Sequence, residues 1–281
     1  MKRKPRDLSW QGKIGAYLIL VIFTLFAIFP VLRVISISLR PGNRLLTRSL
    51  SIIPDNASLH SYVRLLTEEP FLQWLMNSMI VSVAVTVVGT GLAMTAGYAF
   101  SRYKFRGRES SLLAIITTQM FPVTMLLLPL FIMLIRMGLY DSYYGLIIAY
   151  SATALPFTIW QMKGYYDTIP FSLEEAAMID GANPVYAFYR IIIPLALPAI
   201  AITALFSFMT AWSEYLVAAV LLQDQDLYTL PIGLKQFTSN MEVAWGMYAA
   251  GAILVSLPVV LLFVLLSRWL ISGLTLGSVK G

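Results

Sequence analysis

Six long apolar runs, separated by polar connections, make up most of this chain, and their lengths predict membrane-crossing helices. A helix rises 1.5 Å per residue and needs about 20 apolar residues to cross about 30 Å of hydrocarbon. The expected spans are residues 14–37, 75–100, 111–135, 145–162, 198–222 and 247–271. The first run exceeds the roughly 7–15 apolar residues of a signal peptide and lacks a small-residue cleavage pattern, so it is read as a span. Gly89, Gly91 and Gly97 in the second run predict close helix packing. Pro122, Pro129, Pro156 and Pro258 predict kinks in the third, fourth and sixth. Between the first two runs, Ser38 to Pro70 is polar and turn-rich, with a short helix expected around Ser61 to Leu66 and a solvated His60 beside it.

Composition supports a membrane fold. Hydrophobic residues make up 58% of the chain and charged residues 12%, against about 25% charged in soluble domains. The expectation is therefore an all-α polytopic protein, a single transmembrane domain over residues 1–281. Of 20 Lys and Arg residues, thirteen fall on the side that carries the N-terminus, including Arg102, Lys104, Arg106 and Arg108 of one short connection. Positive charge accumulates on the cytoplasmic side, so both termini are expected there. The net charge of +6 then reports orientation and gives no reason to expect a nucleic-acid partner. With no cysteine and one histidine, and without H-E-x-x-H, G-x-S-x-G or G-x-x-x-x-G-K-[ST], the chain offers no catalytic constellation, metal site or nucleotide loop.

One segment does not fit a bilayer. Ser172 to Pro194, SLEEAAMIDGANPVYAFYRIIIP, reads as a helical hairpin on the cytoplasmic side. Ser172 and Glu175 have capping-box spacing. Gly181 can end a helix in the left-handed conformation, Asn183 can cap a second helix with Pro184 in its first turn, and Pro194 is expected to interrupt it. Glu174 and Glu175 sit where the helix dipole favours acids. Ala176 and Ala177 permit close approach, Met178 and Ile179 offer apolar contact, and a carboxylate can meet an arginine on a partner. The alternative is an amphipathic helix on the lipid surface, but such helices are rich in Lys and Arg, and Leu173 to Asp180 has none.

Glu175-Ala176-Ala177, Gly181, Ile191 and Ile193-Pro194 resemble the E-A-A-x3-G-x9-I-x-L-P signature of ABC importer permeases, with Ile193 where leucine is usual. Phe71 to Ser78, Ala96 to Gly107 and Thr229 to Leu234 are similar to the carbohydrate-importing branch of that family. The tail, residues 273–281, resembles that of the smaller permease in maltose-type importers. The resemblance implies that Glu174, Glu175, Ala176, Ala177, Met178, Asp180, Gly181, Asn183 and Pro194 couple this chain to an ATPase cleft. It also implies that Gly277, Ser278, Val279, Lys280 and Gly281 reach toward the ATPase pair. The implied assembly is a second homologous permease, two ATP-binding subunits that hold ATP and Mg2+, and an extracytoplasmic sugar-binding protein. Its implied place is the lipid bilayer of a bacterial or archaeal cytoplasmic membrane, with no cofactor on this chain.

Candidate pathway residues are fewer. Glu214 is the one acid in an expected span, where a charge costs about 2.5–3.5 kcal/mol on insertion scales and should face water or a partner. It could contact sugar hydroxyls while Trp212 or Tyr215 stacks on a sugar ring. A helix-packing hydrogen bond is the other reading. Gln119, beside Phe121-Pro122, is open to the same two readings. Tyr228, Trp245 and Tyr248 lie near the last external loop, as binding-protein contacts or interface aromatics. A permease for an amino acid, phosphate or polyamine, and a stand-alone secondary transporter, are the rival readings of the whole chain.

Overall fold

The computed structural model describes residues 9–41, 45, 51–238 and 243–276, with side chains as far as 269. Every regular element among them is helical. The chain forms two compact units, one of residues 1–71, 234–257 and 279–281, the other of residues 72–233 and 258–278.

In the first unit, α1 (Trp10–Ser38) is started by Ser9, whose hydroxyl accepts the Gly12 amide at 3.3 Å. Its Leu, Ile and Phe side chains are exposed nearly to its end, as a lipid-facing helix requires. Only the last turns are fixed. Buried Ser38 hydrogen-bonds the Tyr62 hydroxyl at 2.8 Å, and buried Arg40 donates to the Leu45 carbonyl at 2.7 Å. Tyr62 belongs to α2 (His60–Thr67), the short helix expected at Ser61 to Leu66.

In the second unit, α3 (Phe71–Arg102) contacts α6 (Tyr143–Tyr166) so closely that a β-carbon on Gly97 would stand 2.8 Å from that of Met162. α4 (Arg108–Thr117) and a 3-10 turn at Thr118–Met120 meet α5 (Val123–Arg136) at 105°. Phe121 at this break is extended, as the residue before a proline prefers, and Pro122 then starts α5. The hairpin elements α7 (Ser172–Ile179), α8 (Pro184–Ala187), a π-helical turn at Phe188–Ile192 and α9 (Ile193–Leu195) follow. α10 (Leu197–Trp212) leaves them at 78° and packs along α6; α11 (Leu216–Leu221) resumes after a short break. Two apolar clusters hold this unit together. One gathers Val81, Leu146, Tyr150, Val217 and Leu221, and the other Ala93, Tyr98, Met162, Tyr166, Phe188 and Ile192.

Among the described residues three helices are long and apolar enough to cross a membrane by themselves: α1, α3 and Trp245–Trp269 of α13 (Trp245–Leu276). The bent pairs add up to two more. Expected runs 111–135 and 198–222 are therefore not straight helices. Pro122 breaks the first, and the second ends at Trp212 and restarts at Leu216. The remaining expected span, 145–162, lies inside α6, which at 24 residues reaches about 36 Å. α6 is the buried centre of its unit, and its Ser, Thr and Tyr positions make it less apolar than the outer helices.

Gly233, in α12 (Leu230–Gln236), shows how tight the packing is: a β-carbon there would overlap the ring of Trp74, which is 2% exposed. Gly233→Ala is expected to destabilise the protein by about 1–3 kcal/mol through overpacking. A thermal melt of the detergent-solubilised protein would read this as a lower midpoint, and an unchanged midpoint would contradict the contact.

Candidate functional site

The hairpin is built by local chemistry at its turn. α7 closes with Ala182 donating to the Ala177 carbonyl at 2.9 Å and Gly181 donating to Met178 at 3.1 Å. This is the Schellman pattern, and it needs Gly181 at φ +90°. Asn183 then starts α8 by accepting the Tyr186 amide at 2.8 Å, with Pro184 at the first helical position. The turn is as the residues Gly181, Asn183 and Pro184 predict.

The two ends depart from expectation. Ser172 makes no capping bond: the cap position is Phe171, whose carbonyl accepts the Glu174 and Glu175 amides. Pro194 does not interrupt the second helix either. The missing proline N–H is absorbed upstream by the wide turn at Phe188–Ile192, and the chain bends only after Leu195. The Tyr165 hydroxyl donates to the Leu195 carbonyl at that bend, at 3.2 Å.

Glu174 and Glu175, adjacent in sequence, face opposite ways. Glu175 is exposed. Glu174 is 1% exposed and points into the protein, where its carboxylate accepts from Arg102 Nε at 2.5 Å and from the Tyr98 hydroxyl at 2.6 Å. Of the two acids, then, Glu174 meets an arginine of its own chain. Arg102 is correspondingly no free loop charge, since it also donates to the Ile169 carbonyl at 2.9 Å. Nearby, burial works to raise the Asp167 carboxyl, but hydrogen bonds from Lys163 and Ser101, with Arg108 nearby, outweigh it and hold the group below its ordinary value.

What α7 and the turn present outward is an apolar and polar surface without a partner among the described residues. Ala176, Met178, Ile179 and Asp180 are exposed, Ile179 to 86%. Beside them opens a cleft of about 600 Å³, lined by Ala177, Asp180, Gly181, Asn183, Tyr186 and Arg190 among others. Such a surface can dock onto another protein.

The pathway candidates separate. Gln119 donates to the Thr153 carbonyl at 3.0 Å, a helix-to-helix bond, while lining an apolar cavity of about 260 Å³ between α5 and α6. Trp212 is 3% exposed and stacks on Phe208 with ring centres 5.2 Å apart. Tyr215 is half-buried against the Val217 and Leu221 cluster. Glu214 occupies the break between α10 and α11, its carboxylate accepting the Val217 and Ala218 amides at 3.0–3.2 Å. A carboxylate in a broken span satisfies the amides that the break exposes, which accounts for the charge without a solute. Glu214→Ala is expected to cost about 0.5–2 kcal/mol as a lost cap, with Glu214→Gln, which keeps an acceptor oxygen, close to wild type in a thermal melt. Loss of transport in Glu214→Gln at unchanged stability would instead make it a solute contact.

In the loop that leads into α12, Asn77 donates to the carbonyls of Asp226 and Tyr228 at 2.8 and 2.9 Å, and Asp141, at φ 52°, accepts the Gln223 and Asp224 amides. This loop is pinned from two sides. Trp245 and Tyr248 meet edge to face. Gly277, Ser278, Val279, Lys280 and Gly281 lie outside the described residues. Sequence reasoning missed the Arg102–Glu174–Tyr98 group; a single arginine ending an apolar run was the available signal.

Residues 89–275 match the family described as the binding-protein-dependent transport system inner membrane component. The chain is 37% identical to a maltose/maltodextrin transport system permease protein of Photorhabdus laumondii, with 99% of each chain covered. It is 35% identical to a maltodextrin transport system permease protein of Bacillus subtilis, covering 96% of this chain and 97% of that one. Its fold is similar to a chain of a bacterial ABC transporter involved in the import of the acidic polysaccharide alginate, with a TM-score of 0.79, 25% identity, and 95% and 100% of the two chains covered.

Proposed function

Because this chain belongs to the family of binding-protein-dependent transport system inner membrane components, we propose that it forms half of a solute pathway in an ATP-driven sugar importer. A second, homologous permease supplies the other half, and two ATP-binding subunits holding ATP and Mg2+ bind at the cytoplasmic side. An extracytoplasmic binding protein delivers the solute, maltose, a maltooligosaccharide or another α-glucoside. The chain carries no chemistry of its own, and hydrolysis belongs to the partners. Both termini lie in the cytoplasm.

The observation that carries this reading is the outward face of the hairpin: Glu175, Ala176, Met178, Ile179 and Asp180 exposed on a helix closed by Gly181. Exposed apolar side chains next to a polar cleft mark a docking surface. ATP-driven closure of the partners would carry α7 toward its counterpart and tilt the core helices from inward-open to outward-open. Gln119, which lines the cavity between α5 and α6, stands with Trp212, Glu214 and Tyr215 as a candidate for the pathway wall.

Affinity purification from the native membrane tests the assembly. The expected result is recovery of two copies of an ATPase, one related permease and a periplasmic-type protein with a bound α-glucoside. Recovery of the chain alone, active in transport without an ATPase, would overturn it; a complex whose binding protein holds an amino acid or phosphate would move the substrate class only.

A further inference from the structure

The Arg102–Glu174–Tyr98 group does more than the docking surface requires. Glu174 lies one residue before Glu175, yet it contributes nothing to the exposed face. Both its oxygens are taken up inside the protein, by Arg102 Nε and the Tyr98 hydroxyl. The guanidinium, 8% exposed, reaches on to the Ile169 carbonyl at 2.9 Å and the Ser101 hydroxyl at 3.3 Å, and lies 5.9 Å from the Phe171 ring. The Tyr98 ring meets Tyr166 edge to face at 5.8 Å and leans on Phe188 at 4.5 Å. One group therefore ties the end of α3 to α7, to the strap before it, and to the return segment after it.

Stability alone does not account for an ion pair here. Removing two charges from water costs several kcal/mol per ion, and well-packed apolar residues of similar volume often hold a fold as well or better. An ion pair adds direction: a carboxylate held by two donors, with its arginine anchored again on a carbonyl, resists sliding and tilting that an apolar contact permits. We propose that Arg102, Glu174 and Tyr98 form the rigid joint through which displacement of α7 passes to α3, so that they are positioning residues for the coupled transport cycle. This rests on the reading of the hairpin as the ATPase-coupling element.

The test uses the assembled transporter in proteoliposomes, with Glu174→Gln and the apolar pair Arg102→Met/Glu174→Met. The reading is solute moved per ATP hydrolysed, beside the thermal midpoint. A joint predicts that this ratio falls about tenfold or more in both variants, within the range of intersite couplings, even where the apolar pair keeps the wild-type midpoint. A wild-type ratio in the apolar pair means that the group only stabilises the fold and overturns the proposal. If the apolar pair does not assemble, Arg102→Lys and Tyr98→Phe, which keep the ion pair, decide through the same ratio: a fall supports the joint and a wild-type ratio overturns it. ATP-independent uptake by the wild-type complex would remove the coupling reading, and the joint with it.

Discussion

Arg102→Ala is expected to destabilise the protein by about 3–5 kcal/mol, the usual consequence of leaving one partner of a buried ion pair uncompensated. The charge left behind is the Glu174 carboxylate, 1% exposed in the intact protein. Four interactions are lost with the guanidinium: the ion pair, the bonds to the Ile169 carbonyl and the Ser101 hydroxyl, and the contact with Phe171. The remaining donor, Tyr98, is a single neutral hydroxyl. The chain should be recovered from membranes at a small fraction of the wild-type amount, and what is recovered should melt well below it. Arg102→Ala/Glu174→Ala should be less damaging than Arg102→Ala alone, because no charge is stranded. A double variant as unstable as the single one would contradict a buried pair.

Ile179→Asp should do the opposite, leaving the fold alone and breaking the assembly. The side chain is 86% exposed at the end of α7, and substitutions at such positions usually change stability by less than about 0.5 kcal/mol. As an apolar anchor placed in a partner's cleft it would carry about 2–4 kcal/mol of binding, or roughly 30- to 1,000-fold in affinity. Titration of the purified ATPase subunit onto membranes holding the variant measures this directly. Wild-type affinity would place the docking surface elsewhere on the hairpin.

These two residues also mark where sequence reasoning succeeds. The exposed tip was legible because a turn is set by neighbours: Gly181 at positive φ, Asn183 capping and Pro184 beside it need nothing from elsewhere. The inward turn of Glu174 was not legible, since its partner Arg102 is 72 residues away and the geometry exists only once α3 and α7 are packed. Ser172 shows the reverse error. Its spacing to Glu175 satisfies a capping rule, but the chain enters α7 in a helical turn from Phe171, so the serine is already inside the helix. Prolines were equally ambiguous. Pro129, Pro156 and Pro258 are accommodated inside helices, and of those singled out in the spans only Pro122 stands at a sharp bend, 105°, following an extended Phe121. Glu214 was conspicuous as a lone acid in an apolar run, but its amide partners appear only with the break that separates α10 from α11. Trp212, offered as a stacking surface, is occupied by Phe208 one turn earlier on the same helix.

On the proposed function, this chain moves a sugar only when an ATPase acts on its hairpin. Uptake of a radiolabelled maltooligosaccharide by proteoliposomes, measured with and without enclosed ATP and with wild-type or Gly181→Trp chain, tests it most directly. Accumulation is predicted only with ATP, both ATPase subunits and the binding protein present, and it should vanish in Gly181→Trp, where φ +90° opposes any side chain. Uptake by this chain without the ATPases, or ATP-driven uptake undiminished in Gly181→Trp, would contradict the account.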